Sequence, residues 1–246
     1  MCYDMSYFSS IRLITDFIKV DELPALDFEP TWHQVAQSWH PFPVVVFEDG
    51  KTKLKYFEWG LIADYMNTDE KIKQYRSSMA NARSEKILDD PKSVWHRLRK
   101  QRCLVFTTGF FEHREVGWKK KLPYFITVKN RPVFCFAGLY NYSPVADQST
   151  GEIPGTFTIV TREANKLMSK IHNDGPNGNR MPLILSKELA VRWLNPALTD
   201  DELRSILEYK IPSHELTAWP VNTIRKRKPD DESVIEEFES EQIPEL

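Results

Sequence analysis

Apolar and β-branched runs bounded by turn residues recur along the chain. They predict strands over 43–48, 54–60, 103–113, 122–128, 132–140, 156–161 and 181–185. Helical periodicity is rarer. The stretch 89–101 has an acidic start with Pro91 near its first turn, and 161–171 opens on a threonine cap. The segments 186–194 and 199–209 each carry a capping-box pattern. Strands outnumber helices and do not alternate strictly with them, which predicts an α+β domain on a largely antiparallel or mixed sheet system with short helices between strands. No internal repeat is visible.

A length of 246 residues allows one large domain or two small ones. Either is long enough to bury roughly 70% of the unfolded surface without a metal or disulfide staple. The first twenty residues lack a basic segment followed by an apolar run, and no stretch has the length of a membrane span, so the expectation is a soluble cytoplasmic protein with no membrane partner. Three cysteines, at 2, 103 and 135, form an odd count without a CxxC pair, against both a disulfide framework and a structural zinc site.

The net charge of -2 conceals an asymmetry. Residues 230–246 hold eight acidic side chains and no basic one, which leaves 33 basic residues against 27 acidic ones elsewhere, a balance of +6. The expected division is a domain over 1–229 and an acidic, disordered tail over 230–246. Basic clusters at 96–102, 119–121 and 225–228 permit a polyanionic partner, although a solvated charged face is the commoner meaning of such runs.

Four polar clusters stand at the ends of apolar segments: the N-terminal Met-Cys, NARSE (81–85), TTGFFEH (107–113) and IHNDGPNGNRMP (171–182). Singly, each has an ordinary reading. Glu112 fits an exposed alternation position, His172 a structural histidine, Asn81 a helix cap and Cys2 a small hydrophobe. There is no phosphate-binding glycine loop, GxSxG elbow or HExxH pair. A calcium loop started at Asp174 would place Pro176 and Gly178 at ligand positions and Leu185 at the twelfth, so 173–179 reads as a lengthened turn.

In combination the motifs say more. A chain that opens Met-Cys and continues with WGL (59–61), NAR (81–83), GFFE (109–112), LPYFI (122–126), FAGL (136–139), TIVT (158–161), a histidine close to RMP (180–182) and a late PVN (220–222) resembles the SOS response-associated peptidase (SRAP) family of abasic-site processing proteins. The ordered matches run from residue 2 to about residue 222. The resemblance implies a single compact domain with a β-rich, barrel-like core. It also implies a basic groove for single-stranded DNA containing abasic sites, a monomer, and no cofactor or metal. It places the active-site residues at Cys2, Asn81, Glu112 and His172. Phosphate contacts are implied at Arg83, Thr161 and Arg180, and bulky side chains beside the lesion at Tyr65 and Met66, for which a place in the core is the ordinary alternative.

The residue types suit that chemistry. With Met1 removed, Cys2 would present an α-amine and a thiol on neighbouring carbons. The amine, with a pKa of roughly 7.7 to 8.0, condenses with an aldehyde far more readily near neutrality than a lysine at about 10.4. The thiol can then close a five-membered thiazolidine ring, an intramolecular step favoured by on the order of 7 kcal/mol or more. Glu112 is the candidate acid/base, with His172 assisting at the sugar ring oxygen, in strand scission or in crosslink reversal, and Asn81 holding the amine or the sugar oxygen. Three departures from the family pattern stand out. Asp4 replaces an arginine and is expected to repel DNA, His113 stands in place of a tryptophan, and the loop before Arg180 is longer. Two other readings stay open: an N-terminal-nucleophile cysteine peptidase or amidohydrolase, and a non-covalent single-stranded DNA-binding module.

Overall fold

A computed structural model of the chain describes residues 2–117, 119–225 and 227–239. In chain order its strands are β1 (Asp4–Tyr7), β2 (Thr31–Val35), β3 (Pro41–Glu48), β4 (Lys51–Trp59), β5 (Asn81–Arg83), β6 (Arg102–Thr107) and β7 (Gly109–Glu115). They continue with β8 (Lys121–Val128), β9 (Phe134–Tyr142), β10 (Gly155–Glu163), β11 (Arg180–Pro182), β12 (Ile184–Leu185) and β13 (Leu216–Pro220). One antiparallel sheet runs β13-β8-β7-β1-β2, and the other runs β11-β10-β4-β3-β6-β9-β12. Because β10 also pairs with β9, strands β3, β4, β6, β9 and β10 close into a ring. The β10–β4 and β10–β5 pairings are parallel, so the fold is α+β on mixed sheets, as the strand pattern predicted, with the barrel-like core that the family resemblance implied.

Burial explains why the barrel strands read as unbroken apolar runs. Every residue of β6 and all but the last of β9 are buried, covered on both faces, so neither strand needs a polar side. The predicted strand over 103–113 is in fact two strands in different sheets. The chain leaves the barrel at Thr108, whose amide donates to Ser6 O at 3.0 Å, while Thr107 Oγ1 donates to the same carbonyl at 2.8 Å. A continuous apolar run carries no mark of that crossing except Gly109, where a Cβ would lie 2.1 Å from the Phe125 ring.

The helices are shorter than their periodicity suggested. Over 89–101 only Val94–Arg97 is α-helical, begun by Ser93, whose side chain accepts from Trp95 N. The helix expected from 161 starts at Lys166, capped by Asn165, because Thr161 belongs to β10. Thr199 and Glu202 form a reciprocal capping box before Asp200–Leu207. Ser186 caps Lys187–Leu194 alone, since Leu189 at the third helical position has no side-chain acceptor to return the bond.

The acidic segment corrects an expectation. Residues 230–239 are not an unstructured tail: they contain a 3-10 turn at Glu232–Ile235, and Phe238 N donates to Pro220 O at 2.8 Å. Val234, fully buried, joins Phe111, Phe125, Val221 and Ile224 in a small second core on the five-stranded sheet. Apolar Val234, Ile235 and Phe238 interleaved with the carboxylates supply what the charge count hid. Residues 240–246 lie outside the described residues.

Candidate active site

Four chain segments meet at Cys2, which precedes β1 and is 1% exposed. Asn81 opens β5, which is held parallel to β10 with Asn81 beside Ile159. From there its Nδ2 donates to the Cys2 carbonyl at 2.8 Å, while its Oδ1 is buried without a hydrogen-bond partner among the described residues. Glu112 comes from β7, the neighbour of β1 through the Asp4–Phe111 register. His172 caps the helix Lys166–Ile171, and its Nδ1 donates to Arg180 O at 2.9 Å and lies 3.8 Å from Glu112 Oε2. The four residues named from sequence therefore converge, although they come from four separate segments of the chain.

Burial governs their protonation. The Glu112 carboxyl is pushed up to about 7 by burial, with the Asp4 carboxylate adding to the rise and the His113 amide, 3.2 Å from Oε1, opposing it. His172 is lowered to about 4, again chiefly by burial, so near pH 7 its imidazole is neutral. Its Nδ1–H is committed to the Arg180 carbonyl, which fixes the tautomer with the proton on that nitrogen. The Cys2 thiol is raised well above its ordinary value by burial and then by the Glu112 and Asp4 carboxylates, which keeps it as a thiol.

The residues assigned to DNA contact divide. Arg83 is exposed, donates to Asn177 Oδ1 at 2.8 Å, and lines a cavity of about 430 Å³ that also reaches Asn81, Lys86 and Lys92. Tyr65 is 43% exposed, edge-on to Tyr75. Met66 and Thr161 are fully buried, and Thr161 Oγ1 donates to Ala82 O, so neither side chain is presented to a nucleic acid. Arg180 is buried too. Its guanidinium forks onto Glu85 at 2.9 Å on both oxygens and onto Thr161 O at 2.7 Å, tying β11 to β10 and to the start of the helix Glu85–Leu88. Arg180 therefore braces the site, since its carbonyl also holds His172 Nδ1. Among the described residues no group of three or more His, Cys, Asp or Glu is placed to hold a metal ion.

The expectation for Asp4 is also corrected. Its carboxylate is 3% exposed and doubly engaged, by His33 Nε2 at 2.8 Å on Oδ1 and by Arg225 at 2.9 Å on Oδ2, so it does not stand as an open negative charge. His33 was not picked out from the sequence, and Arg225 only as part of the basic cluster 225–228, without its partner. They lie 29 and 221 residues from Asp4, and no local pattern marks either pairing.

The sequence pattern of the family described as SOS response associated peptidase (SRAP) matches residues 1–225. The chain belongs to the SRAP family. It is 33% identical over 227 residues to the abasic site processing protein YoqW of Bacillus subtilis (strain 168), a match that covers 91% of this chain and 93% of that protein. The abasic site processing protein HMCES of Gallus gallus is 28% identical over 186 residues, 67% of this chain and 51% of that one. Among solved structures, a crystal structure of a protein from Bacteroides thetaiotaomicron superposes with a TM-score of 0.81 at 31% identity, covering 96% of this SRAP chain and all of the other. No described helix is long and apolar enough to cross a membrane.

Proposed function

We propose that this SRAP protein processes abasic sites in single-stranded DNA by becoming covalently attached to them through Cys2, once Met1 has been removed. The observation that carries the reading is the convergence on Cys2 of a carboxyl poised near neutrality, Glu112, and an amide side chain, Asn81, bonded to the Cys2 main chain. The relatives named as abasic site processing proteins support the choice of substrate.

The chemistry balances without an oxidant or reductant. The α-amine of Cys2 attacks the aldehyde carbon of the ring-opened sugar. Glu112, protonated for part of the time at pH 7, supplies the proton with which the carbonyl oxygen leaves as water. The thiol sulfur then adds to the imine carbon and its proton passes to nitrogen, which closes the thiazolidine. Asn81 Oδ1 is available to accept from the amine, and His172, neutral near pH 7 and 3.8 Å from Glu112, serves the sugar oxygen beside that carboxyl. Glu112 and His172 return protons for strand scission or for reversal.

A thiolate-first hydrolase has less support, because burial and two nearby carboxylates hold Cys2 as a thiol. The test is an oligonucleotide with one abasic site, analysed on denaturing gels with wild type, Cys2→Ser and Cys2→Ala. Cys2→Ser keeps the amine and is expected to give an adduct only after borohydride trapping of the imine, whereas wild type gives one without it. Equal untrapped adducts in all three would rule out the proposed ring.

A further inference from the structure

We propose that Arg225, presented by Asp4, is the guanidinium that binds the DNA phosphate beside the lesion, an inference that rests on the Cys2 reading above. Three observations lead there. Asp4 opens β1 two residues after Cys2, a separation of at most about 7 Å, which is within one nucleotide step of a sugar attached to Cys2. The pairing fixes Arg225 without hiding it, since Asp4 takes one terminal nitrogen at 2.9 Å and the arginine side chain remains 52% exposed. The open side of Arg225 faces a cavity of about 860 Å³ between β2 and residues 227–230, walled on its apolar side by Phe28, Val35 and Tyr56.

That cavity is mixed in charge. Asp27, Glu29 and Asp230 line it as well, so net attraction is not what recommends it. Arg227, also in the lining, is already committed to Asp231 Oδ2 at 3.0 Å and Ser233 Oγ at 2.7 Å. Arg225 differs from it in being anchored by a buried carboxylate beside the reacting residue, with its fork partly open to solvent. A planar fork of N–H donors matches the two free oxygens of a phosphodiester. His33, on the other oxygen of Asp4, fixes the direction in which the carboxylate, and hence the guanidinium, points.

The segment that carries Arg225 is positioned independently of DNA. Trp32 N donates to Pro229 O at 2.7 Å, and Ile224 is packed in the second core. Asp4, which by position alone would repel the strand, thereby delivers a cation from the far end of the chain. Asp4 is a positioning residue and Arg225 a binding residue.

The test measures binding to a single-stranded oligonucleotide whose lesion is a tetrahydrofuran analogue that cannot crosslink, across a salt series, for wild type, Arg225→Ala and Arg225→Lys. Arg225→Ala is expected to weaken binding on the order of tenfold at low salt and to reduce the salt slope by about 0.7. Arg225→Lys should keep most of the slope. Replacing the phosphates flanking the lesion by methylphosphonates, one at a time, should weaken wild type at one position and have no further effect there in Arg225→Ala. An unchanged slope in Arg225→Ala, or additive losses at every phosphate, overturns the assignment even if the thermal midpoint falls. Crosslinking of true abasic DNA by the wild type is scored in parallel. Its absence would defeat the Cys2 reading, and with it the placement of this phosphate beside a lesion, whereas its presence with an unmoved salt slope defeats the Arg225 assignment alone.

Discussion

Glu112 Oε2 and His172 Nδ1 lie 3.8 Å apart as a neutral pair, not an ion pair. Burial moves the two in opposite directions, the carboxyl up to about 7 and the imidazole down to about 4, so between those values the acid holds its proton and the base lacks one. The distance alone suggests a salt bridge, but the shared lack of water decides against it. A site of this kind can donate and accept protons at neutral pH without first breaking an ion pair.

The rate of adduct formation should therefore depend on pH through two groups. The Cys2 amine must be neutral, which favours higher pH, while the protonated form of Glu112 is lost above about 7. A bell-shaped profile is expected. Glu112→Gln should slow the reaction by on the order of a hundredfold and remove the falling alkaline limb, measured as single-turnover rates from pH 5.5 to 9. A variant with an unchanged profile would remove Glu112 from the proton transfers.

Folding stability carries the same signature. Glu112 is raised from 4.5 to about 7, so its stabilising contribution is complete below about 4.5 and is lost as pH rises through 7. His172 opposes it: a histidine lowered to about 4 contributes fully above 6.5 and loses that contribution as pH falls through 4. Denaturant unfolding of wild type and Glu112→Gln side by side isolates the first term. Wild type should lose stability relative to the variant between pH 4.5 and 7, and a constant difference would contradict the burial argument.

Asn81 links main-chain position to chemistry through one bond. Asn81→Ala leaves the Cys2 carbonyl without its 2.8 Å donor, with an expected loss of about 1 to 3 kcal/mol in unfolding free energy and a slower crosslink. Asn81→Asp is expected to be worse, because it sets a carboxylate oxygen against that carbonyl in a buried place. Retention of both stability and rate by Asn81→Ala would show that Cys2 is held by other contacts.

The acidic segment should contribute to stability through its apolar residues. Val234→Ala removes two methyl groups from the second core, for about 2 kcal/mol. Neutralising Glu232 and Glu236, by contrast, is expected to change stability by less than about 0.5 kcal/mol. Equal effects would mean that the segment acts through its charge.

The fold class was legible in the sequence, and so was the set of four residues that meet at Cys2, while several short strands were not. Cys2, Asn81, Glu112 and His172 sit in short motifs that keep their order along the chain, and the structure brings all four together. β1, β2, β5 and β13 were missed, being three to five residues long and defined by long-range partners rather than by their own alternation. Met66 and Thr161 show the limit of assigning contacts by motif position: Tyr65 and Met66 sit in a turn in which Met66 N donates to Ala63 O at 2.8 Å, and which of the two is exposed is decided only by packing. The Asp4–Arg225 pair was out of reach for the same reason, because a carboxylate near the start of the chain gives no hint of a guanidinium 221 residues away.

The central claim, that Cys2 becomes covalently bonded to an abasic site, is tested most directly by intact mass. Purified wild type and Cys2→Ala are measured before and after incubation with a single-stranded oligonucleotide bearing one abasic site. The account predicts loss of Met1 and, in wild type only, a species equal to protein plus oligonucleotide less one water. Retained Met1, or no adduct despite its removal, would contradict it.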